Sequence, residues 1–168
     1  MLTVFRSDMD QRTRSVVADS AAIISAAGAS MAVEFSPLGP VSSIRLGLEV
    51  VEIARRRDPR VGLLVDSWHF SVGDSTWEEL ATLALDDIAY VQFCDALAPE
   101  SDSLARETMH RRAAPGRGVL DLDRFAATLR DRGWTGTVSV EVLSAELRNG
   151  TPGEAARLLY GATAPYWN

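Results

Sequence analysis

The sequence predicts an α/β protein in which parallel strands alternate with outer helices. Short apolar runs and longer amphipathic segments follow one another about five times along the chain, with short connections between most of them. Such alternation builds a parallel sheet covered by helices, either as an open doubly wound sheet or as part of a barrel. The length of 168 residues is enough for a real core, and we therefore expect residues 1–168 to form a single domain.

Five apolar runs have the composition of buried strands. They cover residues 2–5, 31–35, 61–66, 88–94 and 137–142. The clearest run opens the sequence VGLLVDSWHF, residues 61–70, in which aliphatic residues lead directly into Asp66. An acid in this position is often only a turn or helix-capping residue. Its meaning therefore depends on whether the pattern recurs at other strand ends.

Capping residues and helical spacing mark helices between these runs. The candidate starts are Asp8 or Asp10, Ser42 or Ser43, Ser75 or Thr76, Leu122, and Thr151 followed by Pro152. Gly28 and Gly133 are expected to end two of the helices. Residues 95–118 show no clear periodicity, which predicts a long functional or mobile loop.

Composition excludes several classes of partner and compartment. The chain is 46% hydrophobic and 24% charged, with a net charge of −6, which speaks against nucleic acid or an anionic membrane as a partner. No apolar run approaches the roughly 20 residues of a membrane span, and the first residues lack a signal-peptide core. Cys94 is the single cysteine. Cytoplasm is therefore the expected compartment. The sequence also contains no nucleotide-binding glycine motif.

Polar side chains stand at or near the ends of four predicted strands. They are Glu34, Asp66, Gln92 and Glu141. Parallel strands open on one face at their carboxyl ends, so these side chains can converge. Three converging carboxylates need a compensating cation, and an all-oxygen donor set suits Mn²⁺, Mg²⁺ or Co²⁺. The alternative is that the four are unrelated turn and cap residues.

Further candidates are expected on the same face. His69 is a candidate general acid or base three residues after Asp66, and Trp68 a candidate pocket wall. The sequence MHRRAAPGRG carries His110, Arg111, Arg112 and Arg117. Arginines suit the capture of an anionic substrate, although a solvated basic loop explains this cluster equally well.

Several segments together resemble the xylose-isomerase-like TIM-barrel superfamily of sugar phosphate isomerases and epimerases. They are MAVEF, VGLLVDSWHF, YVQFCDA, H-x-R before PGRG with the following LDLDRF, and GWTGTVSVEVLSAELR. The resemblance implies that Glu34, Asp66, Gln92 and Glu141 bind a divalent metal. It further implies that His69 faces the substrate and that Arg112 binds it. Trp68 and His110 are the other expected substrate contacts.

Two features depart from the family pattern. Many members carry histidine where Gln92 stands, and the glutamine form is similar to a subset that includes 3-dehydroshikimate dehydratases. A complete (β/α)₈ barrel takes about 250 residues, so the resemblance implies a partial (β/α)₈ TIM barrel with about the last five βα units. Open barrel edges would invite association with a second copy.

Three functions remain open from the sequence. The leading one is a metal-dependent isomerase or epimerase that acts on a small sugar or hydroxy-ketone through an enediolate, with Glu34 and Glu141 as ligands and proton-transfer groups. The second is a lyase of the 3-dehydroshikimate dehydratase kind, in which His69 is the base and Arg112 holds the substrate carboxylate. The third is a non-catalytic or partner-dependent truncated barrel.

Overall fold

A parallel sheet forms the centre of the molecule. The computed structural model describes residues 1–3 and 9–168. The sheet contains β1 (Leu2–Thr3), β2 (Ala32–Glu34), β3 (Gly62–Asp66), β4 (Ile88–Phe93) and β7 (Val138–Val140). These five strands lie in the order β1-β2-β3-β4-β7, and every neighbouring pair is parallel. The predicted parallel sheet is confirmed, while residues 4 and 5 of the first predicted strand lie outside the described residues.

Helices connect the strands, as the capping signals predicted. Their bounds are α1 (Gln11–Ala26), α2 (Ile44–Arg55), α3 (Ser67–Val72), α4 (Trp77–Thr82), α5 (Leu104–His110), α6 (Leu122–Arg130) and α7 (Pro152–Trp167). Asp10 and Ser43 cap α1 and α2, and Thr76 and Thr151 cap α4 and α7 with capping boxes. Asp8, the alternative cap for α1, is not among the described residues.

Residues 95–118 have more regular structure than the expected loop. They contain α5 and an antiparallel pair formed by β5 (Asp95–Ala96) and β6 (Arg112–Ala113). The buried carboxylate of Asp95 closes the segment, because it accepts hydrogen bonds from the backbone N–H groups of Gly118 and Leu120. A Cβ at Gly118 would collide with the Ala96 carbonyl oxygen, so only glycine fits there. Elements this short leave no periodicity in the sequence.

The strand register separates the apolar core from the polar site. Asp66 lies opposite Gln92, and Glu34 lies opposite Leu64. Because side chains alternate between faces along a strand, Asp66, Gln92 and Glu34 share one face. The other face carries Val33, Leu63, Val65 and Val91, which pack in the main core with apolar residues of α2 and α6.

No helix within the described residues is long and apolar enough to cross a membrane.

Candidate metal centre and active site

Asp66 ends β3 and performs two roles at once. Its Oδ1 accepts a hydrogen bond of 2.8 Å from the backbone N–H of His69 and thereby caps α3. Its Oδ2 accepts one of 2.8 Å from Arg112 Nη1. The residue is completely buried. The helix-cap role and the site role therefore do not compete, because each uses a different carboxylate oxygen.

His69 lies on the first turn of α3 beside Glu34. Its Nε2 is 3.6 Å from Glu34 Oε1, and both side chains are buried. Burial lowers the pKa of His69 to about 4; Asp66 opposes this shift and Arg112 adds to it. The imidazole is consequently neutral near pH 7, which is the form that binds a metal or accepts a proton. Glu34, Asp66 and His69 offer ligand atoms that lie within 4.8 Å of one another.

Gln92 and Glu141 extend the cluster along the sheet. Gln92 Nε2 donates to Glu141 Oε1 over 3.3 Å, and Glu141 follows directly after β7. The buried Oε1 of Gln92 has no hydrogen-bond partner among the described residues. Burial raises the pKa of Glu141, with Arg112 acting in the opposite direction. A carboxyl group whose pKa is raised by burial is better suited to proton transfer than one with an ordinary pKa.

Arg112 joins these residues into one network. Its Nη1 contacts Asp66 Oδ2 at 2.8 Å and Glu141 Oε2 at 3.1 Å, and its Nη2 lies 3.3 Å from His69 Nε2. The guanidinium carbon stands 5.1 Å from the centre of the Trp68 ring. Thr108 on α5 fixes the side chain from behind by accepting a hydrogen bond of 3.0 Å from Nε. The site therefore already holds one buried cation among its carboxylates.

The remaining predicted substrate contacts have different surroundings. Trp68 is buried against Cys94 and Ala96 below the Arg112 guanidinium. His110 is exposed at the end of α5, where its Nδ1 lies 3.3 Å from Arg148 Nη1. Their roles in substrate binding stay predictions.

Two residues near the site were missed in the sequence. Thr108 precedes Arg112 by four residues, a spacing that brings the two together across the end of α5. Tyr90 lies two residues before Gln92 on β4, hence on the same face of the sheet. Burial raises the pKa of Tyr90, and the charges of Glu34, Glu141 and Asp66 raise it further. Its strand position was the signal that would have found it.

The donor atoms fit a divalent cation. Carboxylate oxygens, an imidazole nitrogen and the unpaired Gln92 amide oxygen are ligands that Mn²⁺, Co²⁺ and Zn²⁺ accept. The grouping of His69 with Glu34 and Asp66 differs from the predicted all-oxygen set, in which His69 was only an acid or base. It arises because α3 begins directly after Asp66, and its first turn brings His69 Nε2 to within 3.6 Å of Glu34 Oε1.

Comparisons with known proteins agree with this architecture. A family model described as xylose isomerase-like TIM barrel matches residues 5–161. An inosose isomerase of Halalkalibacterium halodurans is 26% identical over 145 residues, covering 85% of this chain and 50% of the relative. A 3-dehydroshikimate dehydratase of Pseudomonas aeruginosa is 34% identical over 94 residues, covering 55% of this chain and 15% of the relative.

A crystal structure of the IOLI protein with a binding zinc atom has the same fold. It superimposes with a TM-score of 0.81 at 25% identity and covers 98% of this chain and 60% of that one. The chain thus spans about half the length of the inosose isomerases it matches, and its parallel strands form a partial barrel. It belongs to the xylose isomerase-like TIM barrel family.

Proposed function

We propose that the protein is a divalent-metal-dependent isomerase or epimerase of a small polyhydroxy ketone, such as the inosose in the names of its relatives. The observation that carries the proposal is the convergence of Glu34, Asp66 and His69 within 4.8 Å at the carboxyl ends of two neighbouring strands. Similarity to inosose isomerases over 85% of the chain supports the sugar isomerase class.

Four side chains would hold the cation. Glu34 and Asp66 would supply carboxylates from the group within 4.8 Å. Glu141, which lies beside Gln92, would supply a third, and Gln92 its unpaired amide oxygen. His69, whose Nε2 lies beside Glu34, could supply an imidazole nitrogen in place of one of these ligands. When bound, Mn²⁺, Mg²⁺ or Co²⁺ would polarise the substrate carbonyl and stabilise the negative charge that develops when a neighbouring carbon loses its proton.

Glu34 and Glu141 would move that proton. Glu34 ends β2 and Glu141 follows β7, with β3 and β4 between them. This separation supports the proposal that the two carboxylates would approach a substrate from opposite sides. One removes a proton from the carbon beside the carbonyl to give an enediolate, and the other returns a proton to the opposite face or to the adjacent carbon. The first outcome is epimerisation and the second is isomerisation.

His69 and Arg112 would orient the substrate. The neutral imidazole can donate to or accept from a substrate hydroxyl. The Arg112 guanidinium presents donors toward a carbonyl or anionic oxygen, a task for which its planar fork is well suited. His69 belongs to α3, and Thr108 holds the Arg112 side chain at Nε.

Deuterium exchange tests the proposal. Metal-loaded protein incubated with an inosose in D₂O should place deuterium on the carbon beside the carbonyl, detectable by NMR. Glu141→Ala should reduce the exchange rate on the order of a hundredfold or more, as expected for loss of a general acid or base. Glu146→Ala, which alters an exposed acid five residues away, is the matched control. Unchanged exchange with Glu141→Ala would contradict the assignment.

A dehydratase is the second candidate function. The contact of 3.3 Å between His69 Nε2 and Arg112 Nη2 favours it, because a base beside a carboxylate-binding arginine suits elimination of water from an acidic hydroxy-ketone. The Pseudomonas aeruginosa relative supports this alternative. Conversion of 3-dehydroshikimate to an aromatic product would appear as new ultraviolet absorbance, whereas an isomerase produces none.

A further inference from the structure

The Arg112 guanidinium already compensates the carboxylates that a metal would use. Nη1 bridges Asp66 Oδ2 at 2.8 Å and Glu141 Oε2 at 3.1 Å. Arg112 and Asp66 have side chains that are 1% and 0% exposed, so solvent barely screens their contact. Removing this cation without a substitute would leave buried negative charge uncompensated.

A divalent cation and this guanidinium compete for the same oxygens. A metal bound to Asp66 and Glu141 would use carboxylate oxygens that now accept from Nη1. A metal and a guanidinium on the same oxygens repel each other, and this repulsion is strong around the buried Asp66, where the effective dielectric constant is low. The Nη1 contacts therefore oppose metal binding, and metal binding favours their release.

Other contacts retain Arg112 near the site after such an exchange. Nε donates to Thr108 Oγ1, and the guanidinium lies over the Trp68 ring. Neither partner is a carboxylate. The side chain can thus release Asp66 and Glu141 and remain anchored at its root.

We propose that Arg112 is an internal competitor of the metal, which neutralises Asp66 and Glu141 until a divalent cation replaces it there. The inference rests on the proposed metal-binding function and concerns its regulation. The exchange would keep the charges of the carboxylates compensated in the metal-free and in the metal-bound protein. It would reduce metal affinity by the free energy needed to detach Nη1. It would also free the guanidinium for an anionic or carbonyl oxygen of the substrate.

Calorimetric titration of Mn²⁺ into chelator-treated protein tests the competition. Arg112→Gln should bind Mn²⁺ about tenfold more tightly or better than the wild type, within the usual range of coupling between two sites. Arg111→Gln is the matched control, because it removes an equal charge at the neighbouring position. The Arg111 side chain pairs with Glu100 and Glu107 instead. Its affinity should change by less than about threefold if only long-range charge is altered.

The outcomes separate this inference from the proposed function. Equal affinities for the wild type and Arg112→Gln, or equal gains in both variants, would overturn the competition while leaving the metal site intact. Absence of Mn²⁺ binding in the wild type and in both variants would overturn the metal site, and the competition with it.

Two further measurements test the competition if Arg112→Gln destabilises the fold. Saturating Mn²⁺ should raise the thermal midpoint of Arg112→Gln more than that of the wild type, and an equal rise would contradict competition. If the variant does not fold even with Mn²⁺, wild-type protein is titrated with Mg²⁺ while the NMR signals of the Arg112 Nη–Hη groups are followed, after assignment with Arg112→Lys. A shift in proportion to metal saturation is expected, and an unmoved signal at saturation would refute the exchange.

Discussion

Arg112 Nη1 lies 2.8 Å from Asp66 Oδ2, with 1% and 0% of the two side chains exposed. The contact joins residues 46 positions apart and connects the start of β6 with the end of β3. A buried pair of opposite charges tolerates loss of one member poorly, because the remaining charge stays desolvated. This pair therefore links the stability of the fold to the electrostatics of the site.

Asp66→Asn should lower the free energy of unfolding by about 3–5 kcal/mol, measured by urea denaturation. Asparagine also caps helices, so α3 keeps its cap and the change isolates the lost charge. Asp131→Asn is the control: that acid is 72% exposed and 3.7 Å from Arg130, so its effect should stay below about 0.5 kcal/mol. Equal effects of the two substitutions would mean that the buried pair contributes little.

The imidazole of His69 should remain neutral at pH values well below the usual pKa of histidine. Burial lowers its pKa from 6.5 to about 4, and an NMR titration of metal-free protein can follow its ring protons. The chain has two histidines, and His69→Gln assigns the signals. Between pH 6.5 and 4 the unfolded chain takes up the proton first, so the stability contributed by neutral His69 decreases as the pH falls through this window. A midpoint near 6.5 would show that the imidazole is solvated.

Cys94 should be inert toward thiol reagents in the folded protein. Burial raises the pKa of its thiol to about 12; Asp66 adds to the shift and Arg112 opposes it. Since the thiolate is the reactive form, labelling at pH 8 should be slow until denaturant is added. The unfolded chain in denaturant supplies the reference rate. Fast labelling of the native protein would show that the strand end carrying Cys94 opens readily.

The sheet should promote association with a second copy. Within the described residues, β1 and β7 are its edges, and unpaired strand edges bind other strands. Light scattering over a range of concentrations should give a mass of at least two chains. A mass of one chain, in a sample that unfolds cooperatively, would count against association through these edges.

The strand-end cluster shows which parts of the site can be predicted from sequence periodicity. Asp66 and Gln92 were predicted to meet because carboxyl ends of neighbouring parallel strands share one edge, and the register places them opposite each other. The capping signals at Ser43 and Thr151 were equally local and were confirmed. Such features depend on residues a few positions apart, so a sequence expresses them directly.

The position of Arg112 between Asp66 and Glu141 could not be predicted from such local patterns. It follows a helix of seven residues and opens a strand of two, which are too short to produce a pattern. His110 and Arg112 stand two residues apart, yet one is exposed beside Arg148 and the other is buried among acids. The turn of the backbone after α5 separates them, and nothing in the residue types indicates that turn.

The sequence by itself determined the alternation of strands and helices, the caps, and the row of polar side chains at the strand ends, because periodicity and local hydrogen bonding specify them. The tertiary structure alone decided that Arg112 faces Asp66 and Glu141, that His69 joins Glu34, and that His110 stays at the surface. These pairings depend on burial and on distances between segments far apart in the chain, which the packing of α3 against β3 and β4 and of α5 against β6 establishes.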